Sequence, residues 1–196
     1  MARPIRQQRK EATRGALKRA AVEVFTERGY AETTIGAITS AAGVAHGTFY
    51  VHFSGKEEVL EEVLQERNTA LALRIGEVWT AAASAGLSEQ VRRVAGTFLD
   101  FWEERRDFVA AYAEKLAVGM RLTQLRDGVN PPMVVFISAL LREADTGLPN
   151  AELATHALLA IWVRVLLQYL FNERVERAEA VDTLVHMTLG SVRGAA

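Results

Sequence analysis

The chain contains no cysteine, which excludes a disulfide framework and any thiolate metal site. Histidine is scarce: only His46, His52, His156 and His186 are present, and none forms a helical metal pair with an acid. No nucleophile elbow, glycine-rich phosphate loop or paired carboxylate constellation appears. These absences argue against an enzyme and imply neither cofactor nor metal. No uninterrupted apolar run approaches a membrane span. The basic start MARPIRQQRK is not followed by the apolar segment of a secretory signal. A soluble cytoplasmic protein with no membrane partner is therefore expected. Internal repeats, low-complexity tracts and strand-like alternation are missing as well.

What is present is globular. Of 196 residues, 49% are hydrophobic and 24% charged, which suits one or two folded domains. The net charge of −1 conceals an asymmetry. Residues 1–56 hold nine Lys/Arg against four Glu, which is +5 and leaves −6 for the remainder. That distribution suggests a DNA-facing end joined to an acidic body.

The segment TTIGAITSAAGVAHGTFYVHFSGK, from Thr33 to Lys56, reads as two short helices and a tight turn. Thr34 can cap the first, its hydroxyl accepting a free backbone N–H. Ile35, Ile38 and Ala42 fall on one helical face. Gly43 can adopt the left-handed conformation of the turn without a Cβ penalty. On the second helix Phe49 and Phe53 lie one turn apart on the buried side. His46, Gly47, Thr48, Tyr50, Val51 and His52 are left to face outward. This is the layout of a helix-turn-helix whose second helix enters a major groove.

Helical spacing extends through the rest. Residues 9–28 place Leu17, Ala20, Ala21, Val24 and Phe25 on one stripe, with Gly29 as a stop. This helix is expected to complete a three-helix core. A fourth starts near Gly55 and runs to about Ala83, joining the two halves. Further helices are expected at Ser88–Arg105, Phe108–Gly119, Met120–Arg126, Met133–Glu143, 151–172 and 177–192, with turns at 127–132 and 145–149. The fold class is all-α: an N-terminal three-helix helix-turn-helix head over 1–55, and a C-terminal helical body over 56–196, to which the family resemblance described below adds ligand binding and dimerisation. The helix over 151–172 carries too wide an apolar band for one-sided packing, and the helix over 177–192 carries a narrower stripe. Leu158, Ile161, Val165, Leu184, Val185 and Leu189 are therefore assigned to a dimer interface, a four-helix bundle formed by two subunits.

Phe25, Gly29-Tyr30, Thr33-Thr34-Ile35, Ile38, Ala41-Ala42-Gly43-Val44, Gly47-Thr48-Phe49-Tyr50, His52-Phe53 and Lys56-Glu57-Glu58 together resemble the TetR family of bacterial transcriptional regulators. The resemblance covers about residues 9–60. It implies a homodimeric repressor that binds double-stranded DNA and is released from a palindromic operator by a small, mostly apolar effector. An activator, or a DNA-binding protein of this fold that senses nothing, is the alternative. By this resemblance Tyr50, His52 and Lys56 reach phosphates, Thr34 and Thr48 offer hydroxyls, Gly47 allows close approach, and His46 and Val51 face bases. The ligand pocket is placed at Phe98, Trp102, Tyr112, Leu116, Met120, Gln124, Phe136, Trp162 and Gln168. Glu114, Arg121 and His156 are further polar groups able to orient a ligand. The chain departs from the family pattern at Thr39, at Ala45, where a capping serine is common, and at Gly36-Ala37, which put no long side chain near the groove. Base reading then leans on the recognition helix and on the basic residues Arg3, Arg6, Arg9 and Lys10, either as a minor-groove arm or as a disordered terminus.

Overall fold

The computed structural model describes residues 5–118, 134, 137, 138, 141 and 150–192, with the side chains of 116–118 and 192 outside that set. Among the described residues all regular structure is helical. The elements are α1 (Ile5–Glu32), α2 (Ile35–Ala41), α3 (His46–Tyr50), α4 (Lys56–Ala81), a 3-10 turn (Ala83–Ala85), α5 (Leu87–Glu103), α6 (Arg106–Val118), α7 (Ala151–Phe171) and α8 (Arg177–Val192). The helices and turns expected between 120 and 149 lie outside the described residues, except that Val134, Ile137, Ser138 and Leu141 are helical.

The described residues fall into two compact units, 5–66 with 107–118 and 67–106 with the described residues from 134 onward. The expected boundary lay between 55 and 56, at the start of α4. The units instead part within α4, and the first takes in residues of α6 from far along the chain.

In the first unit, Leu17, Ala20, Ala21, Val24 and Phe25 form the buried stripe of α1. They meet Ile38, Phe49, Phe53, Val59, Leu60 and Val63 in one apolar core. The helical path of α1 breaks at Gly29, whose φ of 76° and ψ of 172° are open to glycine and almost nothing else. Thr34 then caps α2: its Oγ1 accepts the N–H of Ala37 at 3.1 Å. Gly43, at φ 65°, turns the chain so that its own N–H reaches Ser40 O and that of Val44 reaches Thr39 O. Both closures supply partners for the last carbonyls of α2. At the start of α4, Glu58 reaches back to accept from Ser54 N at 2.6 Å and Ser54 Oγ at 2.7 Å, while Glu57 and Glu58 oppose the positive end of the helix dipole.

In the second unit, Val91, Val94, Ala95, Phe98, Leu99, Phe101 and Trp102 make α5 strongly amphipathic. Helix α7 buries Thr155, Leu158, Trp162, Leu166 and Leu170, a stripe at three- and four-residue steps. Ala180, Val181, Leu184 and Val185 bury the matching face of α8. Phe98 meets Trp162 edge-on with ring centroids 5.2 Å apart. The Trp162 Nε1 donates to Thr188 Oγ1 at 3.1 Å, so the indole's one polar atom is satisfied inside the core. Ser138 Oγ and Thr155 Oγ1 pair at 3.0 Å. By length and composition α7 is also apolar enough to cross a membrane, with a mean hydropathy of 1.5 and only 28% of that stretch buried. Glu152 and Arg164 interrupt the run without much lowering its mean, so the stretch is not an unbroken apolar segment.

Candidate nucleic-acid interface

Helix α3 is five residues long, about 7.5 Å at 1.5 Å per residue. Its inward anchor is Phe49, fully buried and 5.7 Å from the Phe53 ring. That anchor turns the opposite face outward. His46 and Gly47 are exposed, Thr48 is half-buried, and Tyr50 and Val51 are 56% and 67% exposed. The Tyr50 ring stands edge-on to both Phe49 and His46 at 5.6 and 5.7 Å, so the aromatic tip is held although it faces solvent. Thr34 is exposed, and its oxygen already accepts from Ala37 N; the hydroxyl proton remains to donate. Ala45 makes no side-chain cap, as its methyl dictates.

Two of the expected phosphate ligands have other occupations. His52 turns inward, with 9% exposure and no partner for Nδ1. It follows Phe49 by three residues and so shares its face; the outward position assigned to it is corrected. Burial, then the charges of Arg14 and Lys10, holds its imidazole below its ordinary pKa. Lys56 donates to the carbonyl oxygens of Tyr30 at 2.7 Å, Ala31 at 3.0 Å and Thr33 at 2.8 Å. Its ammonium also lies 4.5 Å from the Tyr30 ring centroid. An ammonium has three donors, so the side chain is an internal brace. What survives of the phosphate assignment is the backbone N–H groups at the start of α4.

Arg14 was missed in the sequence. Its guanidinium donates to the carbonyl of His52 and to Glu62, and lies 4.1 Å from the Phe53 ring centroid. Lys18, one turn on, binds Glu62 and Glu66. The signal was a pair of four-residue ladders of opposite sign, Arg14/Lys18 on α1 and Glu58/Glu62/Glu66 on α4. Three of the nine basic residues counted toward DNA, Arg14, Lys18 and Lys56, are thereby engaged within the protein. Arg6, Arg9 and Lys10 are exposed on α1. They are helical from Ile5 onward, and a helix 10–12 Å across does not enter a minor groove about 6 Å wide. Residues 5–10 thus stand as the first turns of α1 and not as an extended arm, and Arg3 lies outside the described residues.

In the second unit, Phe98, Trp102 and Trp162 of the expected pocket are buried. Gln168 is half-buried and accepts from Asn172. Tyr112 belongs to the first unit instead, where burial raises its pKa. Leu116's side chain, Met120, Gln124 and Phe136 lie outside the described residues. An open groove of about 630 Å³ runs between α5 and α8, with Arg92, Arg93, Asp100 and Arg177 on its walls, and includes none of the expected pocket residues. Of the dimer residues, Ile161, Val165 and Leu189 keep partial exposure. Leu158, Leu184 and Val185 are buried within the subunit. They are corrected to core positions, because the stripe facing α5 and the stripe facing outward share the same helices.

Residues 17–63 match the profile of the family described as bacterial regulatory proteins, tetR family. That segment is of TetR-family type. Over 63 residues the chain is 44% identical to the HTH-type transcriptional regulator SrpR of Pseudomonas putida, which is 32% of this chain and 30% of that protein. The match thus spans less than a third of SrpR's own length. Similarity to the HTH-type transcriptional repressor KstR2 of Mycobacterium tuberculosis is 27% over 140 residues, 68% of each chain. Similarity to the HTH-type transcriptional activator FasR of Mycolicibacterium smegmatis is 27% over 197 residues, 93% of this chain and 84% of that one. A solved TetR-family structure from Syntrophomonas wolfei superposes with a TM-score of 0.75 at 18% identity, covering 95% and 97% of the two chains. The regulator FadR of Bacillus subtilis, in complex with stearoyl-CoA, does so with a TM-score of 0.69 at 19% identity, covering 92% and 98%. At these identities the structural likeness is one of fold. The family and these relatives are regulators and not enzymes.

Proposed function

We propose that this TetR-family chain is a homodimeric, sequence-specific DNA-binding regulator that a small, largely apolar molecule releases from its operator. The observation that carries the DNA-binding part is the outward face of α3, where His46, Tyr50 and Val51 stand exposed over the fully buried Phe49. A short helix with a rigid apolar root and exposed polar and aromatic tips suits the floor of a major groove. His46 and Val51 read base edges and thymine methyls; Tyr50, Thr34 and Thr48 position the helix on phosphates.

The apolar, mostly unburied α7 supports dimerisation. An aqueous protein covers such a surface, and a two-fold pairing covers it with its own copy. The operator is then a near-palindrome with half-sites about 34–36 Å apart or slightly more. Similarity to a FadR that holds stearoyl-CoA favours a fatty acyl thioester as the effector class. The sign of regulation is proposed as repression; relatives of both signs are similar to this chain.

Selection of bound sites from random duplex tests the reading. Recovery of a palindrome whose occupancy falls on addition of stearoyl-CoA supports it. Random duplex bound as well as any selected site, with steep salt dependence, sinks the sequence-specific claim; a palindrome indifferent to acyl thioesters sinks the effector class alone.

A further inference from the structure

We infer that Glu114 is a positioning residue for the DNA-reading surface, holding the turn between α1 and α2 from a site more than eighty residues away in sequence. The inference rests on the proposed DNA binding by α3. Helix α1 is kinked at Gly29, which interrupts its hydrogen-bond ladder, so the backbone groups from Tyr30 to Thr33 need partners from outside it. They are sorted by charge. The N–H groups of Tyr30 and Ala31 both donate to Glu114 Oε2, at 2.6 and 3.1 Å. The carbonyls of Tyr30, Ala31 and Thr33 accept from Lys56. Thr33 Oγ1 closes the loop by donating to Gly29 O at 2.6 Å. An anion thus holds the amides and a cation holds the carbonyls.

Space is matched as well as charge. A Cβ on residue 29 would stand 2.8 Å from Glu114 Oε2, so the carboxylate would have to shift off the amides it holds, and φ at that position is positive. Gly29 and Glu114 are therefore one arrangement. The next residue fixes the helix that carries it. Lys115 is 4% exposed and binds Glu57 at 3.2 Å and Glu61 at 2.9 Å. Successive residues on a helix point about 100° apart, so Glu114 grips the turn while Lys115 grips α4. The turn leads directly into Thr34, the cap of α2, and α2 leads through Gly43 into α3. The direction of the recognition helix is set by a carboxylate that never meets DNA. The ligand-orienting role suggested for Glu114 gives way to this one.

Glu114 is exposed, so its bonds are screened and add little to global stability. The two roles therefore separate. In the full-length chain, Glu114→Ala should weaken operator binding about tenfold, ~1.4 kcal/mol, and speed amide exchange at Tyr30 and Ala31, while the thermal midpoint stays nearly unchanged. Glu114→Gln, which keeps an acceptor oxygen, should recover part of both effects. Unaltered operator affinity in Glu114→Ala overturns the inference. So does a loss of affinity that merely tracks a fall in thermal midpoint, or unchanged exchange at Tyr30 and Ala31. If the unaltered protein selects no operator, the DNA-binding reading has failed, and the exchange comparison still judges whether Glu114 holds the turn.

Discussion

The two units use charge and apolar surface in opposite ways. In the first, most large apolar side chains are consumed internally: Phe25, Phe49, Ile38 and Leu60 are fully buried, while Val51 and Ile5 stay exposed. Charged groups do structural work there, with Arg14 on the His52 carbonyl, Lys56 on three carbonyls and Lys115 on two glutamates. In the second, the charged pairs Arg92–Asp182 and Arg177–Asp100 sit at the surface, about half exposed, where such pairs contribute little. The apolar surface of α7 is left over. One unit buries most of its apolar side chains and exposes the mixed tips of α3; the other leaves an apolar stripe of α7 exposed. The proposed function accordingly puts specific recognition on the first and association on the second.

The largest effect should come from breaking the closed core. Phe49→Ala removes the root of α3, and truncation of a buried phenylalanine costs about 3–5 kcal/mol. Urea unfolding followed by a probe in the first unit should show a much lower midpoint, and operator binding should vanish with it. A loss below about 1 kcal/mol is incompatible with full burial. The exposed apolar stripe should respond differently. Val165→Asp places a charge on the half-exposed side of α7 and should leave the subunit folded but monomeric by sedimentation. Leu158→Ala, on the buried side, should lower subunit stability by about 2–5 kcal/mol without changing association of the folded protein. A dimer that survives Val165→Asp moves the interface elsewhere.

How much of this was readable depended on distance along the chain. The stripe Leu17 to Phe25, the Thr34 cap and the left-handed Gly43 turn are local, and local spacing states them directly. The inward turn of His52 is also legible, because it follows Phe49 by three residues; placing it with the outward set runs against that spacing. The unit boundary was not legible, since the contact of Glu114 with Tyr30 joins residues 84 apart and no periodicity encodes it. The apolar band of α7 was seen, but its division into an inner and an outer stripe needed the positions of α5 and α8. The expected pocket suffered most. Aromatic composition marks a core and does not say which rings share it, as Tyr112's place in the first unit shows.

Arg14 and Lys10 sharpen the contrast between charges that build and charges that bind. Arg14→Ala frees the end of α3 and should weaken operator binding about tenfold, on the order of one charge-assisted hydrogen bond. The salt dependence should hardly change, because no phosphate contact is lost. Lys10→Ala removes an exposed cation on the same helix and should lower the salt slope by about one while treating all sequences alike. Titrations at several salt concentrations distinguish the two; identical slopes for both variants would erase the distinction.

The smallest effect is a pH dependence confined to the first unit. His52 is held below its ordinary pKa of 6.5 by burial first, then by Arg14 and Lys10. The facing acids on α4 are already engaged, Glu58 with Ser54 and Glu62 with Arg14 and Lys18. The unfolded chain therefore takes up a proton on this residue at a higher pH than the folded chain. Wherever the unfolded state binds more protons, stability rises with pH. The contribution is fully present above about pH 6.5 and is lost as pH falls toward the folded-state value. Glu58 and Glu62, both held below the usual 4.5, act with the same sign but at lower pH, so the windows separate. Urea unfolding between pH 8 and 5.5 should show stability falling at the acid end, and His52→Gln, which cannot titrate, should flatten that fall. An unchanged slope in His52→Gln would assign the dependence to another group and leave the buried imidazole without a measurable proton cost.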